Sequence, residues 1–162
     1  MKIPNLNNYL GQLGEYLVQY SPKIIAYKYI TGTTVLDGHP ALHGFTNIDI
    51  TEHLDLLFLI PNKSSAKLIK VIEVKTTRNK TKKSFQLNGQ CGKSLEKVLK
   101  QGDIEVELAV VRLKNYAPLY DISKKSGFSA ETIRLIEHPE LYTIEYYTKK
   151  QLKITNKSIK II

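Results

Sequence analysis

Two apolar runs separated by a short polar stretch dominate the middle of this 162-residue chain. The first run extends from Leu54 to Ile60, and the second extends from Leu68 to Val74. Residues 61–65 (Pro-Asn-Lys-Ser-Ser) are turn formers, so they predict a reversal of the chain between two strands. Because the runs are so apolar, the sequence predicts that these strands are buried in a sheet.

Charged residues stand at matching ends of the two runs. Asp55 lies near the start of the first run, and Glu73 and Lys75 lie at the end of the second. Side chains alternate along a strand, so Glu73 and Lys75 project from one face. If the runs pair antiparallel, Asp55 lies close to Glu73, and two adjacent carboxylates stay ionised at low cost only with a cation between them. Mg²⁺ suits such a position, although the same Glu-x-Lys spacing also occurs at ordinary solvated strand ends.

The positive charge of the chain is concentrated around these residues. Between residues 61 and 100 there are eleven basic and two acidic residues, an excess equal to the formal net charge of +9 for the whole chain. A basic block beside paired carboxylates indicates a polyanion held over a cation site, whereas a solvated lysine-rich loop is the competing interpretation. The predicted phosphate contacts, in a flexible loop and the helix after it, are Arg78, Lys80, Lys82, Lys83 and Lys93.

Length and composition predict one domain over residues 1–162, large enough to bury a hydrophobic core. The single cysteine, Cys91, excludes an internal disulfide. No apolar run approaches the roughly 20 residues of a membrane span, and the start of the chain lacks the layout of a signal peptide. We therefore expect a cytoplasmic protein without a membrane partner.

Hydrophobic periodicity predicts the order of elements. The helices are expected over residues 5–20 and 86–101. Besides the two central runs, strands are expected over residues 23–30, 104–113, 142–147 and 152–162, the last two as a terminal pair. Residues 31–50 read as a long irregular excursion. Within the first helix, Gly11, Gly14, Glu15 and Val18 share one face, where small residues allow close approach and Glu15 could reach a site on the sheet or simply be solvated.

This order of elements resembles the PD-(D/E)XK nuclease superfamily over roughly residues 6–113. The motifs are Glu15 in the first helix, Asp55 in one strand and Glu73-Val74-Lys75 in the next. Leu54 stands where the name-giving pattern has proline, and Gly14-Glu15 is similar to the archaeal Holliday-junction resolvase branch. The resemblance implies an α/β fold with a mixed central β-sheet flanked by helices. It also implies a single nuclease-like domain, with an α-β-β-β-α-β core over about residues 6–113 and a C-terminal extension over about 114–162 that contacts DNA or packs on the core.

The resemblance also implies roles for the motif residues. Asp55, Glu73 and the Val74 carbonyl would ligate Mg²⁺, for which Mn²⁺ would substitute, and Glu15 would support a second metal or its water shell. Lys75 would position the attacking water and offset charge in the transition state. The implied activity is hydrolysis of DNA phosphodiester bonds. Symmetric cutting of two strands needs two sites, so a homodimer or higher homo-oligomer follows from the nuclease hypothesis.

Residues 121–136 resemble a helix-turn-helix, with small Ser123, turn Gly127 and buried Ile133 at the expected spacing. Their second helix would present Ser129, Thr132 and Arg134 to DNA bases or phosphates. A plain helical hairpin packed on the sheet is the alternative.

Three classes of function remain open at this stage. The first is a Mg²⁺-dependent DNA endonuclease, either site-specific (restriction or homing type) or junction-resolving. The second is a non-catalytic DNA-binding protein with a nuclease-like core and the helix-turn-helix-like segment. The third is a structural protein whose basic face neutralises nucleic acid. The set of Asp55, Glu73 and Lys75 favours the first over the second, and the focused charge favours both over the third.

Overall fold

The computed structural model describes residues 6–37, 54–115, 117–118, 121 and 140–162. Along these ranges the elements are α1 (Leu6–Gln19), α2 (Pro22–Thr31), β1 (Thr34–Asp37), β2 (Leu56–Asn62), β3 (Ser65–Thr77), β4 (Ser84–Gln86), α3 (Gly89–Gln101), β5 (Glu105–Leu113), β6 (Tyr142–Thr148), a 3₁₀ turn (Lys149–Gln151), β7 (Leu152–Ile154) and β8 (Ser158–Ile161).

A five-stranded mixed sheet forms the centre of the fold. Its strand order is β1-β2-β3-β5-β6, in which β3 and β5 run parallel and the other neighbours run antiparallel. Parallel neighbours need a crossover connection, and the chain makes it through β4 and α3. The fold is therefore mixed α/β, with a mixed central sheet flanked by helices, which confirms the class predicted from the sequence.

Apolar side chains fill both faces of this sheet. On one face, α1 and α2 bury Leu17 and Ile24 in a cluster with Phe58 of β2. On the other face, α3 buries Leu95 in a cluster with Leu57. Successive residues of β2 thus point to opposite helical layers, which explains why the run reads as continuously apolar rather than alternating.

A second, three-stranded sheet lies on the α3 side. Its order is β4-β8-β7, with both pairs antiparallel. Its inner face buries Phe85 and Ile159 in the same cluster as α3. Strand β8 therefore pairs with β4, the short strand that follows residues 78–83. These residues connect β3 to β4 and are called the basic loop, and the pairing of β4 fastens the loop at its far end.

The strand predicted over residues 23–30 is wrong, because these residues form α2. Ser21 is extended and Pro22 begins the helix, where the missing N–H of proline costs nothing. Gly32 ends it in the left-handed conformation at φ 67°, with its N–H donating to the Lys28 carbonyl. The Ile and Tyr content suggested a strand, but Tyr27 packs edge-on against the Phe58 ring instead, at 5.2 Å between centroids. Local helix signals and packing override β-propensity here.

The other element predictions differ mainly at their boundaries. The first helix, the two central strands and the strand over residues 104–113 are confirmed. The second predicted helix begins at Gly89 rather than at residue 86, since Asn88 caps it by accepting a hydrogen bond from the Cys91 N–H at 2.7 Å. The terminal pair of strands is wrong in its pairing. β6 joins the central sheet, and residues 152–162 form the β7–β8 hairpin.

Two predicted segments fall partly or wholly beyond the described residues. The excursion over residues 31–50 begins with the end of α2 and contains β1, and its residues 38–50 lie outside them. Apart from Asp121, the helix-turn-helix-like segment, with Ser129, Thr132 and Arg134, also lies outside them. In the part of the chain that is described, no helix combines the length and apolarity that crossing a bilayer requires.

The contact between α3 and the β7–β8 turn predicts a strong size limit at Gly92. A Cβ at this position would collide with the backbone carbonyl of Asn156, which cannot rotate away as a side chain can. Gly92→Ala is therefore expected to lower the free energy of unfolding by about 1–3 kcal/mol. Gly89→Ala is the matched control in the same helix, because nothing lies within 4 Å of its added Cβ. Urea unfolding measures both, and equal stabilities of the two variants would contradict this packing.

Candidate active site

A cleft of about 620 Å³ opens at the end of the β2–β3 hairpin that lies away from its turn. The sequence-predicted residues that line it are Glu15, Asp55, Glu73, Val74, Lys75 and Arg78. The fold thus brings residues from α1, β2 and β3, which are far apart in the chain, to one concave surface. Such a cleft with convergent polar groups is the usual form of a ligand or active site.

The register of the hairpin sets the two carboxylates opposite each other. β2 and β3 pair so that Leu56 faces Ile72. Asp55, one residue earlier, therefore lies across from Glu73, and the two side chains share a face. This register requires a bulge, because the pairing skips Ile69 and shifts by one residue there. With no shift, the turn would set Asp55 opposite Ile72, on the other face from Glu73.

The two carboxylates are buried and close together. Glu73 is only 2% exposed and Asp55 only 7%. An Asp55 oxygen accepts a hydrogen bond from the Val74 N–H at 2.8 Å, which fixes the orientation of this carboxylate. Burial raises the pKa of Glu73 well above its ordinary value, and the charge of Asp55 and a hydrogen bond between the carboxyls raise it further, while Lys75 lowers it in part. The site therefore favours either a proton or a cation between the two groups.

Cys91 is a member of the site that the sequence analysis missed. Its thiol donates a hydrogen bond to Glu73 Oε2 at 3.1 Å from the first turn of α3. Burial and the neighbouring Glu73 raise the pKa of Cys91, so the group stays a thiol and remains a donor. The sequence indicates that Cys91 lies in the first turn of a helix, just after the Asn88 cap. It does not indicate which strand the thiol of a single cysteine faces.

Glu15 reaches the cleft because α1 lies very close to β3. A Cβ at Gly14 would collide with the Thr76 side chain, so a glycine permits this approach as the sequence predicted. Glu15 follows directly and lines the same cleft as the other predicted residues. Its role as a metal ligand stays a prediction.

The basic loop lies between β3 and β4. Its predicted contacts Arg78, Lys80, Lys82 and Lys83 are all exposed, as is Lys93 on α3. The sequence predicted a flexible loop, yet hydrogen bonds hold it at several points. The Thr81 N–H donates to Asn79 Oδ1 at 2.9 Å, and the Ile161 N–H of β8 donates to the Lys83 carbonyl at 2.8 Å.

Arg112 is the second important residue that the sequence analysis missed. It is 7% exposed at the end of β5. Its guanidinium donates to the backbone carbonyls of Asn79 and Lys82, each at 2.9 Å, and to Glu145 Oε1 at 2.9 Å. Tyr147 also donates to that Glu145 oxygen, at 2.6 Å. A lone arginine in an apolar strand was the signal, and its function is to fasten the basic loop to the central sheet.

The donor set bears on which ion the cleft would accept. Among the described residues, no group of three or more His, Cys, Asp and Glu side chains is arranged to hold a metal ion. Two buried carboxylates remain, and a proton or a cation between them would offset the cost of burying two negative charges. That set fits Mg²⁺, which commonly takes one or two protein carboxylates and completes its shell with water and substrate oxygens. It does not fit the tetrahedral nitrogen and sulfur ligation of structural zinc.

Comparisons with known proteins provide no relative from which the roles of these residues could be inferred. The chain matches no family model, no curated protein and no solved structure at a significant level.

The raised pKa of Glu73 predicts how stability depends on pH in metal-free buffer. An unfolded glutamate ionises near pH 4.3, about its ordinary value. The folded state holds its proton longer, so stability is full below that pH and falls as pH rises through the raised pKa. Glu73→Gln cannot ionise and should keep this stability, so its advantage over the wild type should grow as pH rises above the ordinary ionisation range of glutamate.

Urea unfolding at several pH values, with a chelator present, measures this difference. Glu96→Gln on α3 is a suitable control, since it makes the same chemical change at a partly exposed position outside the cleft. Parallel pH curves for the wild type and Glu73→Gln would contradict the assigned environment of Glu73.

Proposed function

We propose that this protein is a Mg²⁺-dependent DNA endonuclease that hydrolyses phosphodiester bonds, either at specific sites or at junctions. The observation that carries the proposal is the convergence of Asp55, Glu73 and Lys75 in one cleft, with Glu15 on its wall. Two buried carboxylates facing a lysine are suited to bind a hard cation and a phosphate together.

Each residue has a distinct part in the proposed chemistry. Asp55, Glu73 and the Val74 carbonyl would hold Mg²⁺, and Glu15 would support its water shell or a second ion. Bound Mg²⁺ would supply an activated hydroxide and Lewis-acid stabilisation of the phosphate. Lys75 would hold the attacking water in line and offset the negative charge that develops in the transition state. The Val74 N–H keeps Asp55 oriented for this task.

The basic loop at the rim of the cleft would bind the DNA backbone. Arg78 and Asn79 line the cleft, so the basic loop begins at its rim. Lys80, Lys82 and Lys83 follow on the exposed side of the loop. Phosphate contacts from such a loop would position the duplex without reading its sequence. Arg112 would lower the entropic cost of binding, because it already fixes the backbone at two points.

The order of elements supports the proposal further. With α2 and β4 as additional elements, α1, β1, β2, β3, α3 and β5 follow one another in an order similar to the α-β-β-β-α-β core of the PD-(D/E)XK nucleases. A homodimer would present two such clefts to the two strands of a duplex.

Incubation with DNA and Mg²⁺ tests the proposal directly. We expect cleavage of linear duplex, plasmid or four-way junction DNA with Mg²⁺ or Mn²⁺, and none with a chelator. Preference for the junction over the duplex would identify the resolving type, and discrete fragments would identify the site-specific type. Protection of a defined sequence without cleavage of any of these DNAs would refute the endonuclease and favour the non-catalytic DNA-binding protein.

A further inference from the structure

The C-terminal segment carries a second concentration of positive charge. Residues 149–162 contain no aspartate or glutamate. Their five lysines are Lys149, Lys150, Lys153, Lys157 and Lys160. This segment makes up β7, β8 and the turns beside them, so its charge belongs to the three-stranded sheet.

The strand register shows how these charges are arranged. Lys160 of β8 lies directly between Ser84 of β4 and Lys153 of β7. Residues opposite each other in antiparallel strands share a face, so these three side chains form one row across the sheet. The buried residues Phe85 and Ile159 alternate with them and point to the core. The row is therefore on the outer face, where all three residues are exposed.

A second outer row lies beside the first. It consists of Gln86 and Ser158, which are paired, and of Thr155 just after β7, whose hydroxyl lies 3.1 Å from that of Ser158; all three are polar and uncharged. We call the two rows together the lysine face. It contains two lysines, several hydrogen-bond donors and no acidic side chain. Lys153 and Lys160 directly opposite each other repel, and like charges in such positions destabilise a sheet. Stability alone does not account for this arrangement.

The lysine face continues the basic loop. Ser84 directly follows Lys82 and Lys83 in the chain. The Ile161 N–H of β8 donates to the Lys83 carbonyl at 2.8 Å, so the loop and the sheet are joined by a backbone hydrogen bond as well. Along the chain, basic residues thus lead from Arg78 at the rim of the cleft to the edge of the lysine face, although the Lys82 ammonium itself lies 5.4 Å from the ring of Phe85 on the inner side of β4.

We propose that the lysine face binds the sugar–phosphate backbone of duplex DNA beyond the cleft. This inference rests on the proposed nuclease function, and it identifies the substrate as a duplex long enough to reach the second sheet. Lysines supply the attraction to phosphates, and the neighbouring hydroxyl and amide groups supply hydrogen bonds to phosphate oxygens. The two rows contain no large apolar side chain, which a surface that inserts into a membrane would present.

A charge-neutralising double variant, Lys153→Gln with Lys160→Gln, tests the inference. Its dissociation constant for a fluorescent duplex, measured by anisotropy from low to moderate salt, should be several-fold weaker than that of the wild type. The slope of log affinity against log salt should fall by about 1–2, since each lost phosphate contact removes roughly 0.9. The thermal midpoint should not fall, because the variant relieves the repulsion between two opposed lysines.

The matched control is Lys63→Gln with Lys67→Gln, which removes the same charge from exposed positions near the hairpin turn, away from the cleft. Its salt slope should stay near that of the wild type. Equal slopes for the wild type and the lysine-face variant would overturn the inference while leaving the nuclease proposal intact. Failure of the wild type to bind or cut any DNA would instead refute the nuclease proposal. Binding of the lysine face to anionic vesicles, with unchanged DNA binding, would also overturn the inference.

Discussion

Glu73→Ala and Lys75→Ala are each expected to abolish Mg²⁺-dependent DNA cleavage, by at least about 10²–10³-fold in rate. Glu73 is one of two buried carboxylates, so its loss leaves Asp55 alone to hold the cation. Lys75 lines the same cleft, and its loss removes the positive charge that faces the phosphate. Neither residue belongs to the basic loop, so DNA binding should change little.

Two further variants separate loss of chemistry from loss of fold. Glu73→Gln keeps the shape of the side chain and should be stable, as argued from its pH dependence, yet it should be as inactive as Glu73→Ala. Lys70→Ala changes another lysine of β3, but on the opposite face, where it pairs with Glu105 and Glu107 outside the cleft. A folded Lys70 variant should retain cleavage. Cleavage at the wild-type rate by either Glu73→Gln or Lys75→Ala would show that the site is assigned wrongly.

Much of this site could be predicted because its signals are local. Glu73 and Lys75 lie two apart in one strand, and this spacing alone puts them on one face. The turn formers in residues 61–65 predicted the hairpin, and the structure confirms it. Gly14 predicted a close approach of the first helix, and its contact with Thr76 agrees.

The exact opposition of Asp55 and Glu73 could not be predicted, because it depends on a bulge. Apolar residues continue without a break through Ile69, so the sequence does not indicate where one residue is skipped. Counting from the turn alone would have put the two carboxylates on opposite faces. The prediction that Asp55 lies close to Glu73 assumed only that the two runs pair antiparallel. Antiparallel pairing does not by itself put both carboxylates on one face, and the register shift at Ile69 in β3 does so.

Cys91 and Arg112 were missed for a different reason. Both act through contacts between elements that are distant in the chain. The partner of Cys91 is 18 residues away in β3, and the partners of Arg112 are at least 30 residues away. Periodicity describes which way a side chain points on its own element, but it does not describe what another element places there. The partners of Cys91 and Arg112 can be identified only when the spatial arrangement of these elements is known.

Arg112→Met is expected to be the most destabilising of the substitutions considered, lowering the free energy of unfolding by about 2–4 kcal/mol. The change removes three hydrogen bonds at once, leaves the Asn79 and Lys82 carbonyls without the Arg112 donor, and takes from Glu145 Oε1 one of its two donors, the other being the Tyr147 hydroxyl. The range is below that for a fully buried ion pair, because the Glu145 side chain is 38% exposed and water can solvate it. Urea unfolding measures this loss, and a change of less than about 0.5 kcal/mol would contradict it.

A graded set of controls isolates the part that Arg112 plays. Tyr147→Phe removes only one hydrogen bond to Glu145, and Glu145→Gln retains an oxygen that can accept from Arg112. Both should therefore cost less than Arg112→Met, about 1 kcal/mol for the single hydrogen bond. Arg112→Lys keeps the charge but cannot span the loop carbonyls and Glu145 in the same planar arrangement, so its stability should fall in between.

Arg112 does not line the cleft, so its effect on DNA should come through the basic loop. At a temperature where Arg112→Met is still folded, binding of duplex DNA should weaken, because the loop must then be ordered at the cost of binding energy. Glu73 and Lys75 keep their places in β3, so the rate of cleavage at saturating DNA should fall much less than the affinity. Loss of the saturated rate with unchanged affinity would instead mean that Arg112 acts on the carboxylate site, and not by holding the loop at its rim.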